Sequence, residues 1–327
     1  MVVELELSGS LLAKDYSGAG APLQSDRAGD AKGDAAERMP LTVTATLGYD
    51  ERQLSPARAV RHYTRAEANI KSGAGIRAPR LAAGKRRIVA DRQPGGRALL
   101  SCDGPPLSRE ELDLIDIVGD ARALDMLLPD GSAGGLIEPG GQWPVSGEAM
   151  AALLGLDSVA VCDVACTLDR GNTKFVRFTL AGTVQGVVDS AATEYDVRAI
   201  GLFSRRQRTV TQLNLAMNET RAIGPATPGL EGSAKAKISR KPIATPPALQ
   251  GIAGLAPKPT PAGPRRPLLL DADRQGFRVV HDRQWFIAGQ THESVTLRRI
   301  DATGLTAQTT LKRMPAKAES QLPTLDR

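Results

Sequence analysis

Three histidines and three cysteines are the residues of this 327-residue chain best suited to chemistry, and their neighbours decide what they can do. His281-Asp282-Arg283 stands just before Trp285, an arrangement in which a carboxylate could support an imidazole as general base. His62 lies among Arg58, Arg61 and Arg65, and His292-Glu293 precedes a run of strand type. A hydrolase-type enzyme centred on His281 or His62 is therefore one function open to the chain. The ordinary reading of these histidines is turn and edge residues, because no Gly-x-Ser-x-Gly elbow accompanies them. No residue is assigned a catalytic role, and the chain reads as non-catalytic.

Metal and cofactor chemistry finds no pattern either. Cys162 and Cys166 sit four apart in a run of strand type, which puts them roughly 13 Å apart at about 3.3 Å per residue. That is too far for a disulfide. With Cys102 they read as buried free thiols rather than as zinc ligands, which need paired Cys or His at close spacing. The acids Asp113, Asp116, Asp120 and Asp125 lack the alternation and the glycine of a calcium loop, so they read as a solvated helix face. Gly84-Lys85 continues into Arg86 without the upstream glycine of a phosphate loop. No metal and no cofactor is expected.

The net charge of +6 permits attraction to nucleic acid or an anionic surface. The basic residues form small clusters: Lys85-Arg86-Arg87, Arg205-Arg206 with Arg208, Lys235 with Lys237, and Arg298-Arg299. A basic surface binder is thus a second alternative. Nucleic acid is disfavoured as a partner, because no stacking aromatics accompany these charges.

The elements that must position these residues are mostly strands. Aromatics make up 3% of the chain, so the core is built from Leu, Val, Ile and Ala. Val3, Leu5 and Leu7 alternate with Glu4 and Glu6; Leu41 to Leu47 alternates with threonines. Ser55 to Lys71 fits either a helix capped at Ser55-Pro56 or a strand with Val60, His62, Thr64, Ala66, Ala68 and Ile70 on one side; the β-rich surroundings favour the strand. Short strands at Arg86–Ala90 and Arg97–Cys102 flank a turn at Gln93-Pro94-Gly95-Gly96. Two short helices follow. Ser108 and Glu111 form a capping box for one that runs to about Ile117 or Val118, and Ser146 opens another that Gly155 closes.

From Asp157 the pattern is β again: 159–168, 174–188, 192–201, 210–219 and 233–240. Short turns between sequential strands imply an antiparallel meander. The expected fold is α+β, mainly antiparallel β, a strongly curved sheet with a few short helices. Its inward residues include Val176, Phe178, Leu180, Leu213 and Leu215. Together with Trp143 they are the candidate lining for an apolar ligand.

Eight prolines between Pro242 and Pro267 exclude a helix or a central strand there. Residues 242–267 read as a Pro-rich linker. It joins a curved β domain of residues 1–241, with a long loop over 15–40, to a small β module of 268–327. Four strands are expected in that module, at 277–280, 284–288, 294–300 and 305–312. Such a sheet has one bare face, so it needs a helix beyond Leu322, or it docks on the larger body.

The order of Leu107-Ser108-Arg109-Glu110-Glu111-Leu112-Asp113-Leu114-Ile115, Leu127-Leu128-Pro129, Gly141-Gln142-Trp143 and Leu153-Leu154-Gly155-Leu156-Asp157 resembles that of uncharacterised bacterial extracytoplasmic proteins. The resemblance implies a lipoprotein-carrier-like curved sheet and a cell-envelope location. The stretch Gly276 to Trp285 is similar to the opening strands of PsbP-like domains, over about half a module. Neither likeness supplies catalytic residues. No run approaches 18 apolar residues, so no transmembrane helix is expected, and no signal peptide precedes the first strand. The function expected is non-catalytic: a β-rich envelope protein that binds an apolar ligand or a protein partner.

Overall fold

In the computed structural model the described residues form one large curved antiparallel sheet, three short α-helices and two small sheets. The structure describes residues 1–13, 37–73, 75–92, 98–117, 120, 123–129, 137–252, 267–301 and 304–313.

The large sheet has twelve strands. They are β1 (Val2–Ala13), β2 (Glu37–Ser55), β3 (Arg58–Ser72), β4 (Gly75–Arg77), β5 (Arg87–Arg92), β6 (Ala98–Cys102), β7 (Gln142–Pro144), β8 (Ser158–Gly171), β9 (Phe175–Val188), β10 (Ala191–Ser204), β11 (Thr209–Arg221) and β12 (Gly229–Ser239). Their order is β6-β5-β3-β2-β1-β12-β11-β10-β9-β8-β7, with β4 beside β3. Two meanders thus run outward from the pairing of β1 with β12, in which Leu5 faces Ala236. The sheet wraps three helices: α1 (Arg109–Ile115), α2 (Ala123–Met126) and α3 (Gly147–Leu154).

Local chemistry sets the helix starts as the sequence indicates, while α1 ends at Ile115 rather than at about 117 or 118. The Ser108 side chain accepts from the Glu111 amide while the Glu111 carboxylate accepts from the Ser108 amide, closing the capping box. Ser146 Oγ accepts from the Ala149 amide, and Gly155 ends α3 at φ 71°. Ser55 instead belongs to the β2–β3 hairpin, where its hydroxyl accepts from the Arg58 amide at 3.1 Å. The segment after it is a strand. It changes face at a bulge: Gly48 pairs with Arg65 and Tyr49 with Tyr63, leaving Thr64 extra. Ala66 and Ala68 therefore point inward, as do Arg61 and Tyr63, while Val60 and His62 point outward.

Two expected loops differ. β2 begins at Glu37, inside the span 15–40 read as loop, because Glu37 to Pro40 pair with Ser10 to Ala13 of β1. Residues 14–36 lie outside the described residues, as does the turn at 93–97. The first part of the Pro-rich stretch packs on the sheet. Leu249 and Ile252 are buried over Val60 on the outer face. Residues 253–266 lie outside the described set.

The described C-terminal residues form five strands, one more than expected. They are β13 (Leu268–Ala272), β14 (Phe277–His281), β15 (Trp285–Gln290), β16 (Ser294–Asp301) and β17 (Gly304–Lys312), arranged as a two-stranded and a three-stranded sheet. The two sheets share a core of Leu270, Ala272, Val295 and Leu297. The missed strand β13 supplies the cover that the sequence assigned to a helix. This unit also docks on the large sheet and α1. Leu269 donates its amide to the Leu107 carbonyl at 2.8 Å, Ser190 Oγ donates to Asp301 O at 2.7 Å, and Arg298 Nη1 donates to Pro225 O at 2.8 Å. The Arg109 guanidinium lies 4.2 Å above the Phe286 ring.

Candidate functional site

The inner face of the large sheet is a set of apolar rows, because directly opposed residues in an antiparallel pair point to the same side. One row crosses nine strands: Ala68, Ala45, Leu5, Ala236, Leu215, Ala199, Leu180, Cys166 and Trp143. The row beside it runs Ala66, Leu47, Val3, Ile238, Leu213, Gly201, Phe178 and Leu168. Five of the six residues proposed from sequence as ligand lining thus stand in two adjacent rows. All five are buried: Trp143, Phe178, Leu180, Leu213 and Leu215. Val176 is the exception. It is half-buried, opposite Phe203 and Gly171, at the lip of the sheet.

Residue size shapes these rows. The Phe178 ring lies flat over Gly201, where a Cβ would come within 2.1 Å of the ring. Only glycine leaves room for that ring. Trp143 packs 6.2 Å from Phe178, centroid to centroid, and its Nε1 donates to Leu127 O at 2.8 Å. Burial pushes the Cys166 thiol up to about 12, so it is an inert apolar group.

These rows are covered by the helical insert. Leu124, Leu127, Met150 and Leu153 are fully or almost fully buried in the same core. A third row, Ile70, Val43, Leu7, Ala234, Met217, Val197 and Gly182, is less covered. There Ile70, Leu7 and Met217 are only half-buried. The concavity is thus filled under the insert and partly open beside it.

Two carboxylates tie the insert to the sheet, and the sequence reading missed both. Asp120, read as part of a solvated face, is 3% exposed. Its Oδ1 accepts from Arg61 Nη2 at 2.6 Å, its Oδ2 lies 3.4 Å from Arg92 Nη2, and Arg61 Nε donates to Glu51 at 2.7 Å. Burial alone would pull the Arg61 guanidinium down, yet Tyr49, Glu51, Tyr63 and Asp120 hold it well above its ordinary value. Its guanidinium also lies 4.9 Å from the Tyr49 ring centre. Asp125 accepts from Thr209 Oγ1 at 3.0 Å and the Val210 amide at 3.2 Å, and it pairs with Arg240. A signal was present for the first anchor. Arg61 alternates with Ala59 and Tyr63, so it carries a charge onto an apolar face.

His62 lines a cleft together with Cys102 and Asp103, whereas His281 and His292 face other groups. His281 Nδ1 lies 2.8 Å from the Asp282 carbonyl, and burial pulls its imidazole down. His292 faces Glu293 in an exposed turn. Among the described residues no histidine hydrogen-bonds a Ser or Cys side chain, and no group of three or more His, Cys, Asp or Glu is placed to hold a metal ion. The basic clusters do not form one stripe. Lys235 and Lys237 stand opposite Glu6 and Glu4 on the outer face, Arg205 and Arg206 lie in the β10–β11 turn, and Arg298 reaches Pro225.

Comparison with known proteins adds little to this geometry. No protein-family model and no curated protein matches the chain. One solved structure, concerned with lipid–protein interactions in lipovitellin, is similar over 75% of this chain and 26% of that one, at 10% identity and a TM-score of 0.36. The chain spans about a quarter of that protein's length, and a likeness this remote carries nothing into the reading of the site. No helix among the described residues is long and apolar enough to cross a membrane.

Proposed function

We propose that this is a non-catalytic binding protein of the cell envelope whose concave sheet face receives an apolar ligand or the apolar group of a protein partner. In this reading residues 1–241 are the binding body, 242–267 a linker, and 268–327 a small unit docked beside it. The observation that carries the proposal is the run of apolar rows across the sheet, covered under the insert and half-open at Ile70, Leu7 and Met217. Exposed apolar rows on a concave face offer a ligand the burial that drives apolar binding, about 25 cal/mol per Å². The centre of the outer face offers no such surface, since Glu4, Glu6, Lys235 and Lys237 occupy it. The location rests on the resemblance to extracytoplasmic carriers alone.

The insert closes the rest of the concavity, its apolar side chains buried in the main core and its polar ties to the sheet including Asp120 and Asp125. Native mass spectrometry of gently purified protein tests the proposal. An apolar adduct that organic extraction removes, and that returns on re-addition, is the expected result. A protein that neither retains nor re-acquires any apolar molecule would argue for a scaffold with a permanently filled core.

A further inference from the structure

A cleft of about 340 Å³ opens where β3, β5 and β6 meet, away from the apolar rows. His62, Arg86, Arg87, Gly84, Asp103 and Ala248 are among its lining residues. It gathers two features that the apolar reading leaves without a role, the lone His62 and the cluster Lys85-Arg86-Arg87.

The cationic groups in and next to this cleft are not equivalent. Lys85 is drawn away to Glu111 at 2.6 Å. Arg87 stands opposite His62 in the β3–β5 ladder and is held by Asp103 at 2.7 Å. The Arg86 and His62 side chains have no ion-pair or hydrogen-bond partner among the described residues. Arg86 and Arg87 against Asp103 leave one net positive charge. A guanidinium offers its donors in a planar fork that fits the oxygens of a carboxylate or phosphate.

The backbone leaves room for such a guest. A Cβ on Gly84 would meet no atom within 4 Å, so that turn faces open space. Ala248 contributes part of the lining from the Pro-rich stretch. Its neighbour Leu249 is buried against the outer face and accepts from Arg52 Nη1 at 3.0 Å, which fixes that segment in place.

We propose that this cleft binds a small oxyanion, phosphate or carboxylate, with Arg86 as its main cationic ligand and His62 and Arg87 beside it. This site is independent of the apolar face, so either proposal can fail without the other.

Calorimetric titration of the full chain with inorganic phosphate, and separately with acetate, tests it. Saturable one-to-one binding of either anion is expected, and the arm that binds identifies the source. Arg86→Gln should weaken it by about tenfold, the size of one charge-assisted hydrogen bond. Gly84→Leu should fill the cleft and remove binding while thermal unfolding stays unchanged. Arg206→Gln, in the distant β10–β11 turn, should leave binding intact. Absence of saturable binding by both anions, or binding that Arg86→Gln leaves at full strength, would overturn the proposal.

Discussion

Arg61 Nη2 lies 2.6 Å from Asp120 Oδ1, and both side chains are almost completely removed from solvent. One belongs to the inner face of the sheet and the other to the chain between α1 and α2. The pair therefore fastens the insert to the wall it covers. Removing Asp120 takes one of two carboxylates from the buried Arg61 guanidinium, which keeps Glu51 at 2.7 Å, so the cost should fall at or below the roughly 3 kcal/mol lower bound for breaking a buried pair. Asp120→Asn is expected to lower stability in a denaturant titration by an amount of that order. A double variant, Arg61→Met with Asp120→Leu, should recover part of the loss, because two apolar groups replace the buried pair while the more exposed Glu51 and Arg92 each lose one partner. Equal losses in the single and double variants would show that the pair does not fasten the insert.

Gly201 and Phe178 give a second prediction. A methyl group on Gly201 would overlap the ring, and the ring has no free space in this core. Gly201→Ala should destabilise by about 1–3 kcal/mol, the usual cost of overpacking. Phe178→Leu should offset part of that penalty when combined with it. A fully additive double variant in a thermal melt would contradict the contact.

The cysteines predict a labelling order. Cys166 is buried with its thiol pushed up to about 12, while Cys102 and Cys162 are half-buried with smaller upward displacement, again from burial. At pH 8 a thiol reagent should reach Cys102 and Cys162 well before Cys166, which should react only with global unfolding. The linkage has a definite sign. A group whose folded value lies above its unfolded one supports stability below the unfolded value and loses that support as pH rises. Stability from Cys166 should therefore decline between the ordinary thiol value of 9.0 and about 12. A Cys166→Ala variant should show a shallower alkaline decline in a pH series of denaturant titrations.

Much of this fold was legible because strand alternation is a strong signal where one face is buried. Phe178 and Leu180 in β9, and Leu213 and Leu215 in β11, alternate cleanly and stand in the core as expected. The capped helices were legible from Ser108, Glu111 and Ser146. What escaped were long-range consequences. The bulge at Thr64 turned Arg61 inward, so His62 was assigned to the wrong face. Asp120 looks like any helix-end acid until β3 brings Arg61 to it. Strand β13 opens the small module directly after Pro267 and carries no alternation, Leu268-Leu269-Leu270 being one apolar run, although Leu268 is fully buried in the main core. No local pattern announces a partner that lies more than fifty residues away.

The most direct test of the central claim is titration with a fluorescent apolar probe, 1-N-phenylnaphthylamine, against the wild type and two variants. Met217→Glu places a charge in the half-open row on the concave side, and Ile200→Glu places one on the outer face, where Ile200 is already exposed. Saturable probe binding that Met217→Glu abolishes and Ile200→Glu preserves, with both variants folded, is the predicted result. Probe binding absent from the wild type, or insensitive to Met217→Glu, would contradict a ligand-receiving concave face.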